Sequence, residues 1–168
     1  MDSNEAVEVR SSPGRGLGIF ATKDLPRGFR VFEEQPMMHF PDERFTDEEI
    51  QEVFDHLSME EQSEFQKLHL GSHIEGQSRI TSIFFTNSFG HRSGPMLFLK
   101  SSRVNHSCIP NALAAWNSKI ERQTIQLTRA VVIGEEITIT YCDPRMEFED
   151  RWQTLRTDWN FDCNCTYM

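Results

Sequence analysis

Apolar and polar positions alternate in short runs at both ends of this chain and take a longer period in between. Residues 7–10 read as a strand, followed by the turn-rich run Ser11-Ser12-Pro13-Gly14-Arg15-Gly16-Leu17-Gly18. Ile19, Phe20 and Ala21 resume a strand, Pro26-Arg27-Gly28 turns the chain, and residues 29–33 form the next strand. Short strands punctuated by Pro and Gly predict a β-rich fold. The middle has a helical period. Thr46 and Glu49 form a capping-box signature, and Ile50, Val53, Phe54 and Leu57 share one face behind it. Ser58 and Glu61 repeat that signature, with Phe65 and Leu68 on the apolar side. Two short helices are therefore predicted in an insert over residues 42–75.

Strands return toward the far end. Residues 124–128 alternate apolar and polar, and after a turn at Gly134 the side chains of Ile137, Ile139 and Tyr141 share one face, opposite Thr138 and Thr140. That pattern puts Tyr141 at the end of a strand. Phe148, Trp152, Leu155 and Trp159 keep helical spacing and predict a last helix near residues 146–157. No repeat or linker interrupts the pattern, so residues 7–168 read as a single β-rich α+β domain.

Composition narrows the function classes. The chain has 168 residues, 26 acidic and 17 basic, for a formal net charge of -9. An acidic body repels phosphate backbones, which argues against direct nucleic-acid binding and favours a protein or peptide partner of basic character. No run of apolar residues is long enough to span a membrane, and Met1-Asp2-Ser3-Asn4-Glu5 has no signal-peptide core. The expected location is the nucleus or cytoplasm, where Cys108, Cys142, Cys163 and Cys165 stay reduced as free thiols or metal ligands. Nothing in the sequence sets an oligomeric state, and a monomer is the working expectation.

Three segments carry candidate chemistry. In Gly14-Arg15-Gly16-Leu17-Gly18, glycines at alternate positions suit either a tight hairpin turn or a backbone that approaches a ligand closely. A strand follows it, so it is not a dinucleotide-binding fingerprint. In Arg103-Val104-Asn105-His106-Ser107-Cys108-Ile109-Pro110-Asn111, the amide of Asn105 and the imidazole of His106 either tie loops together or hold a polar ligand. A Ser/His hydrolase is a poor reading, because adjacent His106 and Ser107 point apart on a strand and no Gly-x-Ser-x-Gly elbow is present. In Gly134-Glu135-Glu136-Ile137-Thr138-Ile139-Thr140-Tyr141, the tyrosine is either a core residue or one whose hydroxyl reaches a pocket.

Taken in order, these three segments resemble the SET-domain protein-lysine methyltransferase family, most closely the small fungal relatives of its SET-and-MYND branch. Residues 82–89 also have a counterpart there. The resemblance implies a SET-domain fold: small twisted sheets, with the Asn-His segment threaded beside the terminal tyrosine strand as a pseudoknot. It implies S-adenosylmethionine as methyl donor, held by the residues matching Arg15, Gly16, Leu17, Gly18, Ser102, Val104, Asn105, His106 and Phe161. It implies Tyr141 as the residue standing where methyl donor meets lysine, with Phe89 and Trp159 lining the lysine channel. Methyl transfer from a sulfonium to an amine asks a protein mainly to align the reactants and exclude water.

Many relatives close with Cys-x-Cys-x-x-Cys, whose thiolates join the cysteine of Asn-His-Ser-Cys around zinc. Here Cys163-Asn164-Cys165-Thr166-Tyr167-Met168 puts Met where the third cysteine belongs, leaving Cys108, Cys163 and Cys165. A thioether is a poor zinc donor, so either another group completes the site or the tail over residues 159–168 is metal-free. No cysteine precedes Cys108, so no MYND finger is expected. A reading from another class also stays open: a non-catalytic SET-fold interaction module. Tyr141 and Asn105-His106 favour the enzyme; Met168 and the early end of the chain favour the module.

Overall fold

A computed structural model describes residues 6–42, 44–71, 76–163 and 165. In chain order these form β1 (Val7–Ser12), β2 (Gly16–Ala21), β3 (Arg30–Glu34), β4 (Met38–His39), α1 (Asp47–Asp55), α2 (Met59–Gln66) and α3 (Arg79–Asn87). There follow β5 (Ser88–Phe89), β6 (Met96–Leu97), β7 (Asn105–His106), β8 (Ala112–Asn117), β9 (Arg122–Leu127), β10 (Glu136–Ile139) and α4 (Phe148–Trp159). Met168, which bears on the metal, and parts of the predicted insert and tail lie outside the described residues.

The strands make three small sheets, ordered β1-β2-β10-β7, β3-β9-β8 and β4-β6-β5. The first positions the site. β10 lies antiparallel to β2, with Ile137 opposite Ile19, and parallel to β7, with Thr138 opposite Asn105 and Ile139 opposite His106. The Asn-His segment therefore runs beside the terminal strand, the neighbourhood that the pseudoknot expectation requires. Ile19, Val31, Val104, Ile125 and Ile137 are fully buried between this sheet and the second. Each such side chain contributes about 1.5–3 kcal/mol of burial free energy.

The turn-rich run at 11–18 is narrower than its composition suggests. Ser11 and Ser12 pair with Leu17 and Gly16 inside the β1–β2 hairpin, so only Pro13, Gly14 and Arg15 turn. Gly14 and Gly16 supply the positive φ values, 75° and 77°, that let so short a turn close. Tyr141 also differs from expectation: β10 ends at Ile139, two residues earlier, because the Tyr141 amide donates to the His106 ring at 3.1 Å instead of to a ladder carbonyl.

Both capping boxes form. Glu49 N–H donates to Thr46 Oγ1 at 3.3 Å while Thr46 N–H donates to Glu49 Oε2 at 2.7 Å, and Ser58 and Glu61 repeat the exchange. Ile50, Phe54 and Phe65 point inward from α1 and α2 and join Met38, Ile83, Phe84 and Leu97 in a second core. Ile83 and Phe84 come from α3, which the sequence pattern does not predict. Six of its nine residues are buried, among them Thr81, Ser82, Thr86 and Asn87, so no polar face marks it as amphipathic. α4 runs two residues past its predicted end and stops at Asn160 in the left-handed conformation, φ 56°. Among the described residues no helix is long and apolar enough to cross a membrane.

Candidate active site

Where β2, β7 and the residues after β10 converge, a cleft of about 1180 Å³ opens. The β1–β2 turn supplies Arg15, Gly16 and Leu17 to its lining. The 101–106 segment supplies Ser102, Val104, Asn105 and His106; Phe89, Tyr141, Trp159 and Phe161 complete the apolar wall. Residues separated by up to about 145 positions thus meet in one concavity, because β10 pairs with both β2 and β7. Two of the residues singled out from the sequence stand back from it. Gly18 does not line the cleft, and Cys108 lies behind it, against α4.

Asn105 and Glu136 form the polar hinge between the strands. Asn105 Nδ2 donates to Leu17 O at 3.1 Å and to Glu136 Oε1 at 2.7 Å, so both amide hydrogens are used and Oδ1 is left to accept. The other Glu136 oxygen lies 3.6 Å from Arg15 Nη1, which also donates to His106 O at 3.3 Å. Behind them Asn111 donates to Glu136 O at 2.7 Å and accepts from Thr138 N–H at 2.8 Å, clamping the Asn-His loop to β10. Glu136 and Asn111 lie inside two of the quoted motifs but were not singled out by the sequence reading. The signal for Glu136 is its parity with Thr138 on the strand.

Tyr141 is held at two points by the same segment. Its N–H donates to His106 Nδ1, and its hydroxyl donates to Val104 O at 2.8 Å. Val104 itself is fully buried, so its side chain belongs to the core. The Tyr141 ring stands 5.2 Å from Trp159 and 5.3 Å from His106, with Phe161 at 6.4 Å. Burial, then the nearby Glu136 carboxylate, raises the Tyr141 pKa above the ordinary phenol value, so the hydroxyl stays protonated at neutral pH. Burial, with Arg15 and Arg151 adding to it, pushes His106 down to about 4, so the imidazole is neutral.

The walls are fixed from behind. The Trp159 indole N–H donates to Thr86 O at 2.9 Å, and Phe89 meets Phe98 edge-on at 5.8 Å. Ser102 Oγ lies 2.6 Å from Phe98 O and 3.0 Å from Asn87 O, so its single proton is committed to the main chain. Glu34 receives the amides of Lys100 and Ser101 at 2.8 Å each and so fixes the turn that carries Ser102.

A thiol cluster closes the tail onto this frame. Cys163 Sγ lies 2.9 Å from Cys165 Sγ and 3.6 Å from Cys108 Sγ, and Cys108 N–H donates to Cys165 Sγ at 3.2 Å. His106 Nε2 lies 3.4 Å from Cys108 Sγ, and these four donor atoms fall within 4.8 Å of one another. Thiolates are donors of structural zinc sites, so Cys108, Cys163 and Cys165 fit that ion, and the imidazole lies beside them. The sequence reading did not place His106 here. The only signal is the closeness of His106 and Cys108 along the chain, since β7 ends at His106 and Cys108 lies beyond the strand.

Comparison with known proteins agrees with this geometry. Residues 16–142 match the SET domain family, and the chain belongs to it. It is similar to histone-lysine N-methyltransferase set5 of Schizosaccharomyces pombe, 30% identical over 164 residues, covering 96% of this chain and 50% of that one. It is also similar to human histone-lysine N-methyltransferase SMYD3, 36% identical over 72 residues, covering 43% of this chain and 16% of that protein. The chain thus spans about half the length of its fission-yeast relative. A solved Plasmodium falciparum structure, described as a candidate histone methyltransferase, superposes with a TM-score of 0.52 at 13% identity, over 82% of this chain and 94% of that one. At that identity it bears on the fold alone.

Proposed function

We propose that this chain binds S-adenosylmethionine and transfers its methyl group to a lysine side chain of a protein substrate, histone or non-histone, in the nucleus or cytoplasm. The observation that carries this reading is the meeting of Arg15–Leu17, Asn105-His106 and Tyr141 in one aromatic-walled cleft. The names of the fission-yeast and human relatives support the same chemistry. When bound, the cofactor supplies an electrophilic methyl on a sulfonium. Arg15, Gly16, Leu17, Ser102, Val104, Asn105, His106 and Phe161 would hold it. The free Oδ1 of Asn105 suits a cationic group, while Gly18 serves from behind by leaving room for Asn105.

Tyr141, Trp159 and Phe89 would form the channel for the lysine. Aromatic faces attract an ammonium by about 0.5–2 kcal/mol and exclude water, which favours delivery of a desolvated amine. Tyr141 acts by orientation. Its proton is held by Val104 O and its pKa is raised, so the phenol oxygen offers lone pairs to the amine without serving as a base. The three thiols Cys108, Cys163 and Cys165 would hold zinc and pin the tail that carries Phe161.

Calorimetry with S-adenosylmethionine, followed by radiolabel transfer onto histones and a cell lysate, tests the proposal. Tight binding with transfer to a lysine is expected, and Asn105→Ala in a folded protein is expected to abolish binding. Unchanged affinity in that variant would remove the cleft from cofactor binding. Binding without transfer to any substrate would leave a non-catalytic SET-fold module.

A further inference from the structure

Both ring nitrogens of His106 are engaged away from the cleft. Nδ1 faces the Tyr141 N–H at 3.1 Å, and a backbone amide only donates, so Nδ1 is the acceptor of this ring. A neutral imidazole then carries its proton on Nε2, and that atom points at Cys108 Sγ, 3.4 Å away. The distance alone also suits a metal ligand. The proton count does not. An imidazole that binds a metal through Nε2 keeps its proton on Nδ1 and donates it to a carbonyl or carboxylate. Here that proton would meet the Tyr141 N–H head-on, donor against donor.

We propose that His106 is a positioning residue that joins the thiol cluster to Tyr141: its Nε2–H donates to Cys108 Sγ, its Nδ1 holds the Tyr141 amide, and the ring stands outside the ligand set of the metal. The Tyr141 amide needs such a partner because β10 ends at Ile139. Ile139 is the register partner of His106, which puts the imidazole within reach of the Tyr141 amide, two residues beyond the ladder. Charge on the Cys108 sulfur strengthens the N–H···S bond, since hydrogen bonds to ionised acceptors are roughly twice as strong as neutral ones. Metal loading at Cys108, Cys163 and Cys165 thereby fixes the ring, and the ring fixes Tyr141. The importance of Tyr141 rests on the proposed methyl transfer; the bridge itself does not.

The test needs no catalysis, so its failure is separate from failure of the proposed activity. In the unmodified protein, nitrogen-15 NMR of the imidazoles identifies the tautomer, with and without zinc. The Nε2–H form in both states is expected; an Nδ1–H ring with a metal-bound Nε2 after zinc addition overturns the proposal. Two variants then separate the halves of the bridge. His106→Asn keeps an acceptor near the Nδ1 position, and His106→Gln keeps a donor near the Nε2 position. Cobalt(II) titration reads the thiolates. Fluorine NMR of 3-fluorotyrosine, in a Tyr167→Phe background, reads Tyr141. His106→Asn is expected to lose about 10- to 100-fold in cobalt affinity with its spectrum unchanged and the Tyr141 signal in place. His106→Gln is expected to keep cobalt affinity and to shift the Tyr141 signal. Equal loss of cobalt in both variants with an altered ligand-field spectrum makes His106 a ligand. No change in either readout reduces the ring to packing.

Discussion

Gly18 leaves the room that Asn105 occupies: a Cβ at position 18 would come within 2.9 Å of Asn105 Nδ2 and 2.3 Å of Glu136 Oε1. Its φ is negative, so the constraint is steric and not conformational. Gly18→Ala is expected to part the Asn105–Glu136 hydrogen bond, to cost about 1–3 kcal/mol of stability, and to weaken S-adenosylmethionine binding although residue 18 does not line the cleft. Chemical denaturation and calorimetry measure the two effects. Wild-type values for both would show that Glu136 simply swings aside.

Tyr141→Phe removes the hydroxyl that donates to Val104 O while keeping the ring beside Trp159 and His106. Loss of a preorganised hydrogen-bonding group at the reacting centre costs about 2–4 kcal/mol, or roughly 30- to 1000-fold in rate. Single-turnover methyl transfer is expected to fall by that factor, with cofactor affinity unchanged. A variant as fast as wild type would take Tyr141 out of the mechanism.

Exchange of the helical insert, residues 42–75, for that of a relative tests its side of the cleft. Lys67, His69 and Leu70 at its C-terminal end reach the cleft lining, and His69 Nε2 lies 3.2 Å from Trp159 O. Substrate choice is expected to change while cofactor affinity holds, provided that Ile50, Phe54 and Phe65 keep their core partners. Comparing KM values over a peptide panel with cofactor Kd separates the outcomes. Equal loss of both would make the insert a piece of core.

Glu135 gives the fold an acid-sensitive clamp. Burial opposes its ionisation, but Arg129, the Val132 amide and Asn111 together outweigh burial and lower its pKa below the ordinary carboxylate value of 4.5. A lowered folded-state pKa stabilises the fold above the unfolded value, and that stability disappears as pH falls through the folded value. Glu135→Gln is therefore expected to melt below wild type at pH 7, with the gap closing once the pH drops below about 4.5. A gap that is the same at both ends of a pH series of melting curves would assign the loss to shape instead of charge.

Much of this architecture was legible because local rules and global packing agreed. Thr46/Glu49 and Ser58/Glu61 announce α1 and α2, and Ile137 and Ile139 are buried as their alternation requires. The missing helix, α3, is hidden because Ser82, Thr86 and Asn87 are buried with their polar groups satisfied on nearby carbonyls, which erases the apolar stripe. In the site, the motif residues pointed to the cleft, but spacing along a chain does not say which partner a side chain takes. His106 shows this most clearly. Its neighbours in space are an amide 35 residues later and a thiol two residues later, and only the three-dimensional pairing of β7 with β10 reveals the first.

The place of β10 in its sheet also sets a schedule. β2 pairs with β1 as soon as both are made, but its second neighbour, which is also the strand beside β7, arrives only when residues 136–139 emerge. The cleft thus cannot exist on a nascent chain that stops short of them, and its closure depends on distant pairings of the kind that slow folding to milliseconds or seconds. A ligand lodged there would bind only the paired form and so would hold the whole chain against unfolding.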